Sequence, residues 1–251
     1  GRGADVQRER SLRGRHRAGR RDRPHLSREQ VVRAALVIVD RDGLDGFSMR
    51  KLGAALGVDP MAAYYYFPNK AAVLDGIVDA VQSEIPPLPN DGASWDVRLR
   101  GMFRAYRQVL RAHPHALPVL STHPPFSIAS LQRAEAAAAI LHDAGFAPRE
   151  AFQIINCIAG YVIGVTLAEV GVQPGGVADP TEEEVTAQIA HLPPDEFPLL
   201  TAVFGNGFPF DDDDAKFEDG LDLIITGLTL RQTALTRHAE EAPPAHPTAA
   251  P

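Results

Sequence analysis

The chain has 251 residues, 45% of them hydrophobic and 23% charged, which is a soluble globular composition long enough for one large or two modest domains. Its single cysteine, Cys157, excludes a disulfide framework and cysteine-rich zinc sites, and no continuous apolar run of about 18 residues marks a membrane span. The net charge of −7 is unevenly divided: residues 1–75 carry 15 Lys+Arg against 9 Asp+Glu, and residues 76–251 carry 10 against 23. Only the basic head is therefore expected to meet a polyanion.

Residues 1–25 hold nine arginines and few apolar residues, so they are expected to form a disordered arm. They contain no apolar core of a secretory signal, and a cytoplasmic location is the expectation. From Leu26 onward the apolar spacing is helical, with no alternating strand pattern. The Ala/Pro-rich stretch 238–251 reads as a flexible tail.

The first helix starts at Ser27, which forms a capping box with Gln30, and runs to Gly43 with Val31, Val32, Ala35, Leu36 and Val39 on one face. Ser48 caps a second, short helix ended by Gly57. Asp59 and Pro60 open a third, which must stop before Pro68. Asn69 caps a fourth carrying Val73, Leu74, Ile77, Val78 and Val81. Two short helices around a tight glycine turn form a helix-turn-helix candidate, with Gly53 at the crossing and Leu52, Leu56, Val58, Ala63 and Tyr66 as its core. Pro60, Met61, Ala62, Tyr64 and Tyr65 are then left to enter a major groove. Four successive aromatics, Tyr64 to Phe67, spread too far around a helix to be buried together.

These residues carry a resemblance. Ser48-Met49-Arg50-Lys51-Leu52-Gly53-Ala54-Ala55-Leu56-Gly57-Val58, then Ala63-Tyr64-Tyr65-Tyr66-Phe67-Pro68-Asn69-Lys70 and Leu74, are similar to the N-terminal domain of the tetracycline-repressor (TetR) family. Two positions depart from its pattern: Ala63 replaces the usual leucine and Tyr66 the usual histidine. Gly160-Tyr161-Val162-Ile163-Gly164, Glu169 and the stretch from Phe217 to Leu228 resemble the regulatory domain of the branch after which the family is named.

The resemblance implies an all-α, two-domain homodimer. Residues 26–72 form the DNA-binding domain and residues 73–237 a helical effector-binding and dimerisation domain. Ser48, Met49, Arg50, Pro60, Met61, Ala62, Tyr64, Tyr65, Tyr66 and Lys70 become the DNA contacts. Arg50 reaches a base edge, while Tyr64 and Lys70 touch phosphate, which fixes register without reading sequence. Gly160, Gly164, Leu221, Ile224, Ile225 and Leu228 become the dimer interface. Met102, Phe103, Tyr106, Phe126, Phe152, Ile155, Asn156 and Val162 are candidates for an apolar effector pocket. The implied function is a ligand-responsive repressor of a near-palindromic operator, with an activator or an effector-independent regulator as alternatives and an enzyme on a helical scaffold as a more distant one.

No metal, cofactor or enzymatic role is expected. His113, His115 and His123 lie among helix-breaking prolines that deny them a helical metal-binding face, so they read as loop histidines. Asp211 to Asp214 lack the spaced pattern of a calcium loop and read as a solvated acidic loop. No nucleophile motif, P-loop or dinucleotide-binding glycine pattern is present. Magnesium–tetracycline is also not expected as effector. In the family's tetracycline-binding members one histidine grips the drug just beyond the fourth helix and another holds its magnesium. Counting on from Lys70, those positions fall on Pro86-Pro87 and on the stretch Leu117-Pro118-Val119-Leu120.

Overall fold

A computed structural model describes residues 26–89, 91–123, 127–171 and 180–241. The arginine-rich arm and Phe126 lie outside the described residues. Eleven α-helices occur, and no strand is found among the described residues.

The first four helices follow their caps. In α1 (Arg28–Asp42) the Ser27 hydroxyl accepts from the Gln30 amide while the Gln30 side chain accepts from the Ser27 amide, completing the box. Ser48 caps α2 (Met49–Leu56), which ends at Gly57 in the left-handed region, φ 65°. Asp59 caps α3 (Pro60–Tyr66), and Asn69 caps α4 (Lys70–Ser83). The α2–α3 corner closes tightly because Gly53 has no side chain: a Cβ there would stand 3.0 Å from both Cα and N of Pro60. Leu52, Ala63 and Phe67 are fully buried in this corner, against Val31, Ala35 and Val39 of α1.

The body consists of α5 (Trp95–Ala112), α6 (Leu117–Thr122), α7 (Ile128–Asp143), α8 (Pro148–Val170), α9 (Glu182–Ala190), α10 (Pro198–Phe204) and α11 (Asp213–Glu241). Helices α5, α7 and α8 pack together, with α11 against α8 and α5. Helix α4 lies between α1 on one side and α5 and α7 on the other, so a single apolar core runs from Val31 to Ile225. Tyr161 of α8 stacks on Phe217 of α11 and donates to its carbonyl at 2.9 Å. A Cβ at Gly220 would overlap that hydroxyl, so the α8–α11 approach requires glycine.

Four expectations change in whole or in part. The proline-rich histidine stretch is only partly loop: His113 and His123 lie between helices as expected, but Pro114 opens a 3-10 turn (Pro114–Ala116) that holds His115, and Pro118 falls in the first turn of α6, where proline is tolerated. Asp211 and Asp212 are exposed and outside any helix as expected, but Asp213 and Asp214 form the first turn of α11, and α11 continues to Glu241, into the stretch expected as tail. Helix α8 has 23 residues and is by length and composition apolar enough to cross a membrane, although its sequence holds no unbroken apolar run of that length. Here it packs in the helical body.

Candidate DNA-binding face, effector core and dimer face

The outward surface of α3 is apolar and aromatic. Tyr65 is 85% exposed, Met61 71% and Tyr64 39%, while Pro60 and Ala62 are half-buried beside them. Burying such groups on a partner is favourable, and the phenol hydroxyls are left to hydrogen-bond. Arg50 is exposed on α2 and makes no ion pair among the described residues. Lys51 is held by Asp42 at 3.1 Å, and Asp42 also takes two hydrogen bonds from Arg41. Those contacts hold the Asp42 carboxyl well below the usual carboxylate range. The Lys70 ammonium rests at 3.4 and 3.5 Å from the carbonyls of Leu44 and Phe47, long contacts that a phosphate can replace.

Three of the expected DNA contacts are placed differently. Met49 is 8% exposed and belongs to the core, because the first turn of α2 points it inward. The Ser48 hydroxyl accepts from the Lys51 amide and serves the helix as its cap. Tyr66 is half-buried and its hydroxyl donates to the Leu26 carbonyl. Arg28 reinforces the same junction, donating to the Tyr66 carbonyl at 2.9 Å and lying 4.0 Å over the Phe67 ring. Tyr66 therefore ties the end of α3 to the start of α1 instead of projecting outward.

In the body, Phe103, Tyr106 and Val162 are interior, and Met102 and Ile155 are half-buried against the core. Phe152 is 40% exposed and Asn156 is exposed, so both lie on the outer face of α8 and do not line the interior. Around the expected Tyr106, polar groups of α4 and α7 stand that the sequence analysis did not name. The Tyr106 hydroxyl, pushed up to about 12 by burial, accepts from Gln82 at 3.3 Å. Ser130 is buried, donates to Asp79 at 3.0 Å and accepts from Arg133 at 3.3 Å. The only sequence signal was two polar residues at i, i+3, Ser130 and Arg133, on the buried side of α7.

The expected dimer residues separate into two groups. Leu221 and Ile225 are 0% and 2% exposed, so they fill the protomer's own core and cannot meet a second copy. Ile224 and Leu228 are half-buried. Gly160 and Gly164 are exposed, with nothing within 4 Å of where a Cβ would lie. Leu223 and Leu230, which point the same way from α11, are 76% and 70% exposed.

A short capped helix crossing a second at a glycine, with the outer face of the second exposed, is the helix-turn-helix arrangement that DNA-binding proteins use. The comparisons give the particular family. Residues 31–77 match the model of the bacterial regulatory proteins of the tetR family, and residues 87–231 the tetracyclin repressor-like C-terminal domain. The chain is 32% identical to the class A tetracycline repressor protein from transposon 1721 of Escherichia coli, over 82% of this chain and 92% of the relative. It is 31% identical to the HTH-type transcriptional repressor DrrR1 of Streptomyces coeruleorubidus, over 90% of this chain and 85% of the relative. ActR of Streptomyces coelicolor in complex with actinorhodin superimposes with a TM-score of 0.73 and 27% identity, covering 82% of this chain and 98% of that one. The chain belongs to the TetR family. It is a ligand-responsive, DNA-binding transcriptional repressor and not an enzyme.

Proposed function

We propose that this repressor acts as a cytoplasmic homodimer, holding a near-palindromic operator through residues 26–72 and releasing it when a small, largely apolar molecule enters the body formed by residues 73–237. The observation that carries the reading is the exposed surface of α3, Met61, Tyr64 and Tyr65, beside an exposed Arg50. Two such faces one helical turn of DNA apart, or a multiple of it, match a two-fold symmetric site. Ligand shifts the dimer toward a spacing of the heads that no longer fits, and α4 transmits the change because it touches head and body alike. The ligand acts only as far as it binds the released state better.

A duplex selected from a random pool by the protein itself provides the probe. Arg50→Ala is expected to cost about 1–3 kcal/mol of binding and to relax one position in each half-site. Lys70→Ala is expected to weaken all sequences alike and to flatten the salt dependence. Unchanged affinity and preference in Arg50→Ala would overturn the base-reading role.

For the effector, Phe103, Met102 and Val162 supply apolar walls, and Tyr106, Gln82, Ser130 and Arg133 supply the few polar groups such pockets use. Relatives named as tetracycline repressors raise the question of magnesium–tetracycline. The residues here do not fit it. Leu117, Val119 and Leu120 are buried apolar side chains where a metal-holding histidine is needed. The neighbouring His115 is engaged by the Asp40 carbonyl at 2.8 Å. Losing the polar partners of a buried polar ligand costs orders of magnitude in affinity. Titration with tetracycline and magnesium is therefore expected to leave the selected duplex bound, and release at sub-micromolar drug would refute this. A true effector is expected both to raise the melting temperature and to release DNA.

A further inference from the structure

His113 follows α5 directly and stands where the DNA-binding head meets the body. Its Nδ1 lies 2.8 Å from a carboxylate oxygen of Asp40, in the last turn of α1, and its Nε2 lies 2.9 Å from a carboxylate oxygen of Glu84, the residue that ends α4. The ring is 12% exposed. The other Asp40 oxygen is buried and has no hydrogen-bond partner among the described residues. A neutral imidazole has one N–H and cannot donate to two carboxylates; only the imidazolium can.

We propose that His113 is a proton-operated strut: as an imidazolium it ties the end of α1 to the end of α4, and on losing its proton it frees the DNA-binding head from the body. The charged groups that face the ring are few. Asp40 comes from α1 and Glu84 from the end of α4, while His115 bonds the Asp40 carbonyl rather than the ring. Helix α6, packed on the same turn, carries no titratable side chain. Arg111, in the last turn of α5, is turned toward Glu169 and Asp214. Burial works against the charged ring, but the hydrogen bonds and charges of Glu84 and Asp40 outweigh it and hold His113 above its ordinary value. The strut is therefore fully formed below the ordinary histidine value of about 6.5 and is lost as pH rises past the raised one. A head held in place loses less conformational freedom on binding DNA, so affinity falls as the strut opens.

The inference rests on the DNA-binding reading above, and its test separates the two. In the full chain, the His113 ring proton is followed by NMR against pH, with His113→Gln for assignment. Amide exchange, corrected for its intrinsic pH dependence, is compared at about pH 6 and about pH 8.5, which bracket histidine titration. In the wild type the last turns of α1 and α4 are expected to lose about tenfold in protection at the higher pH. His113→Gln is expected to be poorly protected there at both pH values. Glu84→Gln, which keeps an amide in place, should bring the His113 titration down and flatten the response. Affinity for the selected duplex, at fixed ionic strength, is expected to fall about 3–10-fold across that range in the wild type and to stay level in His113→Gln. A His113 titration at or below its ordinary value, or the same pH dependence in wild type and His113→Gln, would overturn the strut. If no duplex is selected at any pH, the DNA-binding reading fails, and exchange in the two helix ends still decides the strut.

Discussion

Replacing Arg107 by methionine is expected to lower the stability of the folded chain by about 3–5 kcal/mol, and replacing Glu169 by leucine as well is expected to recover most of that loss. The Arg107 and Glu169 side chains are 8% and 3% exposed. From α5, Arg107 grips Glu169 of α8 through Nε at 3.0 Å and Nη2 at 2.8 Å, and reaches Asp214 of α11 at 2.7 Å and the Asp213 carbonyl at 3.0 Å. Its guanidinium also lies 4.5 Å over the Phe217 ring. Without the arginine, Glu169 becomes a buried charge whose remaining cation, Arg111, is half-exposed and 3.9 Å away. With both partners apolar, neither charge needs solvation, which is why the double variant should recover. Urea unfolding of the single and double variants measures both effects. A loss below about 1 kcal/mol in Arg107→Met would show that the pair does not hold the three helices.

That pair also shows which parts of the molecule the sequence makes legible. Capping is decided within four residues, so Ser27 with Gln30, Ser48, Asp59 with Pro60, and Asn69 mark the first four helices in advance of any structure. The pairing of Arg107 with Glu169 spans 62 residues and leaves no local trace. Tyr66 was misplaced for the same reason, because its hydroxyl finds a carbonyl 40 residues away. Met49 and Lys51 stand in equally good helical context, and only the packing of α1 shows that one is core and the other surface. In α11 the apolar residues surround the helix, which implies cover on more than one side. The sequence does not say which side the chain covers itself. The structure assigns Leu221 and Ile225 to the protomer and leaves Leu223 and Leu230 outside. Phe152 and Asn156 went astray likewise, as one face of α8 is inward and the other open. Pro114 and Pro118 read as loop residues because their place in a first turn depends on where neighbouring helices end.

The open side of α8 leads to the second large effect: Gly164→Arg is expected to give a folded monomer whose affinity for the selected duplex falls by at least about 100-fold, since the two heads no longer bind as one unit. Gln153, Cys157, Gly160, Gly164 and Ala168 form one exposed stripe along α8. On α11, Leu223, Gly227 and Leu230 form another. Large apolar side chains left exposed, here Leu223 and Leu230, favour burial on a partner, and the small residues of α8 allow a second pair of helices to approach closely. The protomer itself should tolerate the change. Nothing lies within 4 Å of a Cβ at position 164, and arginine favours a helix interior over glycine by about 1 kcal/mol. Across a dimer seam the same side chain places a charge and a long stem where two helices must touch, and its desolvation opposes association. Light scattering at micromolar concentration gives the mass, thermal unfolding confirms the fold, and the selected duplex gives the affinity. A wild type that is monomeric under these conditions, or a Gly164→Arg variant that stays dimeric and binds as before, would place the interface elsewhere.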